Sequence, residues 1–241
     1  MSISVPLELS IVLPVYNEGE AVERVLRALS VGIRAHHELV VVYDFDDDTT
    51  VPVVARLAAE IPNLRGLRNE LGRGVLNAMK AGIADTHAPF VLISMADGSD
   101  EPHVVDRMVA LARDGADVVS ASRYMRGGHQ VGGPFVKRLL SRVAGLTLHW
   151  FGGVATHDPT NNFKLYARRF LDTVTIESTA GFELALELTV KATIAGRRVA
   201  EVPTTWRDRT AGRSNFKLRK WLPHYVHWYA RAMRARLPFG R

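Results

Sequence analysis

The sequence predicts an α/β protein built on a doubly wound, mostly parallel sheet. Three observations carry this expectation. Apolar, β-rich runs alternate with segments of helical period through the first hundred residues. Acid-bearing turns follow the first, second and fourth of these runs, and right-handed crossovers would gather such turns along one edge. The most apolar run, Val91-Leu92-Ile93-Ser94, breaks at Met95-Ala96-Asp97-Gly98-Ser99-Asp100-Glu101-Pro102. That break places Asp97 and Asp100 at the carboxyl lip of a strand, where open α/β sheets bind ligands.

The elements follow in order. Residues 7–15 read as a buried strand ending in Pro14-Val15-Tyr16-Asn17-Glu18. Val22, Val25, Leu26 and Leu29 then repeat with helical spacing. A second strand, 39–43, leads into Asp44-Phe45-Asp46-Asp47-Asp48. Crowded like charges favour solvent, so most of these acids are expected outside, with Asp48 capping the helix that starts near Pro52. A short strand at 64–67, a helix through Val75, Leu76, Met79 and Ile83, and the strand at 90–94 complete this half.

The second half begins with a helix at 104–112 and a strand at 117–121, which runs into Ser122-Arg123-Tyr124-Met125-Arg126-Gly127-Gly128. Residues 134–151 read as an amphipathic helix or helix pair with a basic face, in which Lys137, Arg138 and Arg142 interrupt seven large apolar side chains. A turn at 158–163 enters a short strand, 182–194 is a helix, and 198–203 is an edge strand with its proline at the end. Domain organisation is expected to be one domain, 1–215, followed by a basic amphipathic helix, 216–241. The last helix contains no acidic residue, carries Trp and Tyr along one stripe, and holds Pro223 where a kink or late start is expected. It is expected either to lie at a membrane interface or to pack on the domain or a second subunit.

Composition bounds the function. The 241 residues are 47% hydrophobic and 23% charged, as in folded soluble domains. Absence of cysteine excludes disulfides, zinc thiolates and thiol nucleophiles. A net charge of +6 calls for an anionic partner such as a nucleotide, a lipid phosphate or a membrane surface. Nucleic acid fits less well, because the C-terminal aromatics line one helical stripe rather than a basic groove. No run approaches the length of a spanning helix and no leader precedes the first strand, so membrane contact is expected to be peripheral.

Several residues are candidates for chemistry. Carboxylate and hydroxyl oxygens at Asp97, Ser99 and Asp100 suit a hard divalent cation shared with a diphosphate. Asp44, directly after a buried strand, is placed to accept hydrogen bonds from a base or ribose. Arg123, Arg126, Arg207 and Arg209 fall on two loops, each with a glycine-containing turn, and guanidinium forks match phosphate. The second loop, 206–215, reads as a lid over a bound anion. No metalloprotease spacing among the nine histidines, no complete phosphate loop and no hydrolase elbow occurs.

The order of motifs resembles family 2 glycosyltransferases of the GT-A fold, and within them the polyprenyl-phosphate (dolichol-phosphate) mannosyl- and glucosyltransferases. Carrying the likeness are Leu13-Pro14-Val15-Tyr16-Asn17-Glu18, Asp44, Gly72-Arg73-Gly74 with Ala78 and Gly82, Met95-Ala96-Asp97, the Ser122–Gly128 loop, Asp158-Pro159-Thr160-Asn161-Asn162-Phe163, Gly181-Phe182 with Glu187, and 201–214. The resemblance implies that Pro14, Tyr16, Glu18, Asp44, Ala96 and Asp97 bind a nucleotide-diphosphate sugar. It implies Mg²⁺ or Mn²⁺ at Asp97, with Ser99 and Asp100 as further ligands here. It further implies Asp97, Arg123 and Arg209 as catalytic residues, with Arg123, Arg126, Arg209 and Ser214 on the acceptor phosphate. The expected reaction is inverting transfer to a polyprenyl phosphate at the cytoplasmic face of a membrane. A soluble acceptor, or nucleotide-sugar binding without catalysis, stands as the alternative. The chain departs from the family in carrying Met95 where the first acid of the metal motif is usual, and Asn215 where a lysine follows the serine.

Overall fold

The structure, a computed structural model, describes residues 6–208 and 218–236. Seven strands form one sheet: β1 (Leu9–Pro14), β2 (His37–Tyr43), β3 (Leu64–Arg68), β4 (Phe90–Ile93), β5 (Val118–Ser122), β7 (Lys164–Ala167) and β8 (Val199–Pro203). Their spatial order is β3-β2-β1-β4-β7-β5-β8. All neighbours run parallel except β7, which is antiparallel to both β4 and β5. Two short strands, β6 (His129–Val131) and β9 (Thr205–Arg207), pair parallel in a separate ribbon.

Central strands are apolar on both faces because helices cover both. Leu9, Ile11 and Leu13 of β1 pack with α1 (Ala21–Gly32), α2 (Val51–Ala58) and α4 (Val105–Arg113). Val12, pointing the other way, joins Val40 and Val42 against α3 (Val75–Asp85) and α7 (Leu184–Ile194). This two-sided burial is why these strands read as continuous apolar runs rather than alternating ones. A four-residue helix, α6 (Arg168–Leu171), follows β7 directly.

The reversal of β7 positions chemistry. Lys164, its first residue, lies opposite Ile93 at the carboxyl end of β4, and opposite Ser120 of β5. The preceding turn, 156–163, therefore joins the same sheet edge as the turns after β1, β2 and β4. A parallel β7 would have sent that turn to the opposite edge.

Two helices close the far side: α5 (Phe135–Trp150) and α8 (Leu218–Arg236). Trp228 and Ala232 of α8 are buried against Leu148, Val154, Leu186 and Val190, with Tyr225, Tyr229 and Met233 packed alongside. The aromatic stripe of the last helix is thus turned onto the domain, and α8 continues through Pro223. Exposed apolar side chains are concentrated instead on α5. No helix among the described residues is long and apolar enough to cross a membrane.

Gly82 of α3 lies where a β-carbon would come within 2.3 Å of the Val12 Cγ1 atom. Gly82→Ala should therefore push α3 off β1 and destabilise the fold by about 1–3 kcal/mol, read as a lower midpoint in urea unfolding.

Candidate functional site

The turns after β1 and β2 are tied together by a buried acid. Asp48 is shielded from solvent because its carboxylate is satisfied by two backbone N–H groups, from Asn17 at 2.9 Å and from Thr50 at 2.8 Å. Its bond from the Thr50 N–H lies at the start of α2, where a capping role was expected, while Asp46 and Asp47 stand in solvent. Asn17, at φ +53°, and Glu18, whose N–H donates to the Thr50 hydroxyl at 3.0 Å, are fixed by the same turn. Tyr16 emerges beyond Pro14 with 56% of its surface exposed, and its ring meets Phe45 edge-on at 5.8 Å. The Arg73 guanidinium covers Phe45 at 4.8 Å. An exposed aromatic face beside a cation suits a nucleobase.

Asp44, directly after β2, is half-buried. Its oxygens accept from Asn69 Nδ2 at 2.7 Å and from the Gly74 N–H at 2.8 Å. Gly74 holds φ +130°, a backbone setting strained for any side chain, which brings its N–H to the carboxylate. Each oxygen keeps a lone pair for a ligand hydroxyl or ring N–H.

Asp97, Ser99 and Asp100 share the turn after β4. The Ser99 N–H donates to Asp97 Oδ1 at 3.0 Å, which curls the turn round its first carboxylate. The Ser99 hydroxyl and Asp100 Oδ1 are both sealed from solvent and lack a hydrogen-bonding partner. Burial, reinforced by the Asp97 charge, raises the Asp100 carboxyl to about 7, although Arg123 and a hydrogen bond with Asn161 oppose the rise. Unsatisfied buried oxygens are costly, and two of them beside a second carboxylate fit a divalent cation. Two carboxylates and one hydroxyl would form the donor set, and no cluster of three or more His, Cys, Asp or Glu suited to a metal occurs among the described residues.

A buried ion pair forms the floor. The Arg123 guanidinium grips Asp158 through Nε at 2.6 Å and an η nitrogen at 2.9 Å, and the Arg123 N–H adds a third bond at 3.0 Å. Despite burial, these contacts hold Asp158 below the usual carboxylate range and raise Arg123. Lys164 Nζ donates to the carbonyls of Asp158 at 2.9 Å and Asn161 at 2.5 Å. Burial lowers its ammonium to about 7 against the pull of Asp158. Behind this floor, Glu201 accepts from His157 Nδ1, the His157 N–H and the Thr156 hydroxyl.

The two arginine loops, separate in sequence, meet through the β6–β9 ribbon. The Arg207 N–H donates to the Ser99 carbonyl at 2.9 Å and the Thr205 N–H to the Glu101 carboxylate at 3.0 Å. The Asp97 turn is thereby clamped to the start of the second loop. Trp206 and Tyr124 both approach the Arg123 guanidinium, at 6.0 and 4.9 Å.

Most of the expected site residues converge. Pro14, Tyr16, Glu18, Asp44, Ala96, Asp97, Ser99 and Asp100 all lie on turns or strand ends at one sheet edge. Arg123 lies there too, but its guanidinium is engaged by Asp158, so its first role is to hold the 156–163 turn. Arg126 is exposed on the adjoining turn. Arg209 and Ser214 lie outside the described residues. Glu187 is consumed structurally, accepting the N–H groups of Glu177 and Ser178 at 2.6 and 2.8 Å and pairing with Lys191. Asn69, Asp158 and Lys164 were not singled out for these roles by sequence. A lysine opening an apolar strand was the available signal for the last.

The mixed, mostly parallel sheet with helices on both faces and its turns gathered at one edge is an α/β fold of the GT-A type. The chain belongs to glycosyl transferase family 2, which it matches over residues 10–175. It is 30% identical over 215 residues to the polyprenol monophosphomannose synthase of Mycolicibacterium smegmatis, covering 84% of this chain and 78% of that protein. It is 25% identical over 230 residues to the dolichol-phosphate mannosyltransferase of Pyrococcus furiosus, covering 92% of this chain but only 63% of that protein's length. The glucosyl-3-phosphoglycerate synthase of Mycobacterium tuberculosis, solved with Mn²⁺, UDP and phosphoglyceric acid, superposes with a TM-score of 0.69 at 17% identity, over 94% of this chain and 78% of that one. That likeness shows the shared fold.

Asp158→Asn leaves a buried guanidinium without its counter-charge and should cost about 3–5 kcal/mol of stability. Urea unfolding of the single variants and of Arg123→Met with Asp158→Leu checks this. The double variant should be less destabilised than the sum of the singles.

Proposed function

We propose that the chain transfers a sugar from a nucleotide-diphosphate donor to the phosphate of a polyprenyl phosphate, with inversion at the anomeric carbon, at the cytoplasmic face of a membrane. One observation carries the reading: the sealed, partnerless Asp100 and Ser99 oxygens beside Asp97, on the edge that also bears Tyr16 and Asp44. Polyprenyl-phosphate relatives support the acceptor class, since this is the substrate their names state.

Residues divide the work by position. Tyr16, with Phe45 and Arg73 behind it, offers the face for the base, and Asp44 the acceptor oxygens for ribose or base. Pro14, Glu18 and Ala96, at the strand ends and turns between them, would complete the donor's binding surface. Asp97, Asp100 and Ser99 would hold Mg²⁺ or Mn²⁺, which supplies neutralisation of the leaving diphosphate's charge. Arg126, Arg209 and Ser214 serve the acceptor phosphate, and Arg123 fixes the 156–163 turn.

The reaction then needs little proton chemistry. A phosphate oxygen of the acceptor attacks the anomeric carbon, and the bond from that carbon to the donor diphosphate breaks, releasing the nucleoside diphosphate. The nucleophile is already an anion, so no strong general base is required. This agrees with the state of Glu187, whose oxygens are taken by backbone N–H groups and Lys191. Catalysis is positioning plus electrostatics.

Asp97→Ala should lower kcat for transfer by at least about a hundredfold while leaving the thermal midpoint close to that of the parent. Labelled nucleotide sugars with polyprenyl phosphate in detergent provide the assay. Full activity of this variant with added Mg²⁺ or Mn²⁺ would remove Asp97 from the metal site.

A further inference from the structure

The outward face of α5 gathers large apolar side chains that the candidate site does not use. Phe135, Val136, Leu139, Leu140, Val143 and Trp150 are exposed, Phe135 and Trp150 at 64% and 65%. At about 100° per residue they occupy a single arc of roughly 140°. Ser141, Gly145 and Leu148 fall on the opposite side, and that side meets the protein: Leu148 is buried, and a β-carbon at Gly145 would strike the His157 carbonyl. The helix is thus seated by its small and polar face and presents its apolar one. A monomeric soluble protein rarely leaves so many large apolar groups contiguous and uncovered.

Charge identifies what covers the face. Lys137, Arg138 and Arg142 lie outside the apolar arc, and α5 contains no acidic residue. An apolar face with aromatic ends and an acid-free cationic border is complementary to the headgroup–acyl boundary of an anionic bilayer. Position supplies a second argument. The Ser141 hydroxyl, on the seated side, bonds Thr160 at 2.6 Å and receives an η nitrogen of Arg123 at 3.3 Å. One side of α5 therefore belongs to the floor of the candidate site while the other looks outward. Leu222 and Val226 of α8 are also exposed, and α8 packs on α5 through Tyr229, whose hydroxyl meets Thr147 at 3.0 Å.

We propose that α5, rather than the C-terminal helix, is the principal bilayer-docking element, lying in the plane of an anionic membrane with Phe135, Leu139, Val143 and Trp150 inserted. This deepens the reading of a lipid-borne acceptor and rests on it for its biological sense. A helix docked in this way brings the Arg123–Asp158 floor to the lipid surface, so the acceptor's phosphate can reach the site while its chain stays in the bilayer.

Flotation of the full chain with phosphatidylcholine vesicles, with and without phosphatidylglycerol and without donor, tests it. The parent should float with the anionic vesicles. Leu139→Glu with Val143→Glu should lower partitioning by at least about a hundredfold, whereas Leu222→Glu with Val226→Glu should lower it far less. Arg138→Glu with Arg142→Glu should erase most of the preference for phosphatidylglycerol, about fivefold for each residue. Leu139, Arg142, Val143, Leu222 and Val226 are exposed, and Arg138 is half-buried with its guanidinium over the Phe135 ring at 5.6 Å, so thermal midpoints close to that of the parent are expected. Equal flotation of the Leu139/Val143 variant and the parent overturns the proposal. So does failure of the parent to float, or a dimer dissolved by the same substitutions, which would make a second copy the occupant. Transfer to polyprenyl phosphate in detergent separates the two readings. A chain that floats but transfers nothing refutes the activity alone, and one that transfers but does not float refutes the docking alone.

Discussion

The pair between Arg123 and Asp158 is the interaction on which the candidate site depends. Both groups are withdrawn from water, and desolvation of two charges is offset only when geometry is good and the remaining donors and acceptors are satisfied. Here the guanidinium binds both carboxylate oxygens, the backbone N–H adds a third bond, and Ser141 and Thr160 approach the fork. Four segments meet there: the end of β5, the turn before β7, α5, and the rings of Tyr124 and Trp206. A buried charge that tolerates few alternatives is a means of fixing loops that packing alone would leave loose.

A different device fixes the other half. Asp48 joins the turns after β1 and β2 using backbone N–H groups, while Asp44 ties the end of β2 to the loop before α3 through the Asn69 side-chain amide and the Gly74 N–H. The two halves face each other across the Asp97 turn, which is held from above by β9. Of these acids, only the Asp97–Asp100 turn keeps sealed oxygens without partners. The site is rigid at its borders and electrostatically unfinished at its centre. That is the arrangement expected where a ligand completes the charge balance.

Much of the fold was legible because its strands are covered on both faces and its helices on one, and each condition leaves its own apolar period. Turns at the carboxyl edge could be read from where those periods break, which placed Tyr16, Asp44 and Asp97 together. Other features left no local trace. The reversal of β7 depends on pairing with two distant strands, and four residues carry no direction. Three-residue strands such as β6 and β9 have no period at all. Arg123 looked like a free phosphate ligand because its partner lies 35 residues away. Asp48 was expected to cap the helix after β2; the bond from the Thr50 N–H lies at that helix start, but the bond from Asn17 comes from a turn 31 residues away and left no local trace. With α5 and α8 the amphipathic stripes were clear, but a stripe says only that a helix has an apolar face, not what covers it.

Insertion of β7 between β4 and β5 also bears on how the chain acquires its structure. β3, β2, β1 and β4 are consecutive in the first half and can assemble as soon as that half exists. Until Lys164–Ala167 arrives, after β5, β6 and α5 in the chain, β4 presents an open edge of unpaired N–H and C=O groups. During vectorial synthesis the half-built sheet is therefore sticky along the border that later carries the 156–163 turn. The last strand to seat between β4 and β5 seals that edge and delivers the floor of the site in one step, so a chain that has not finished folding has no Arg123–Asp158 pair to work with.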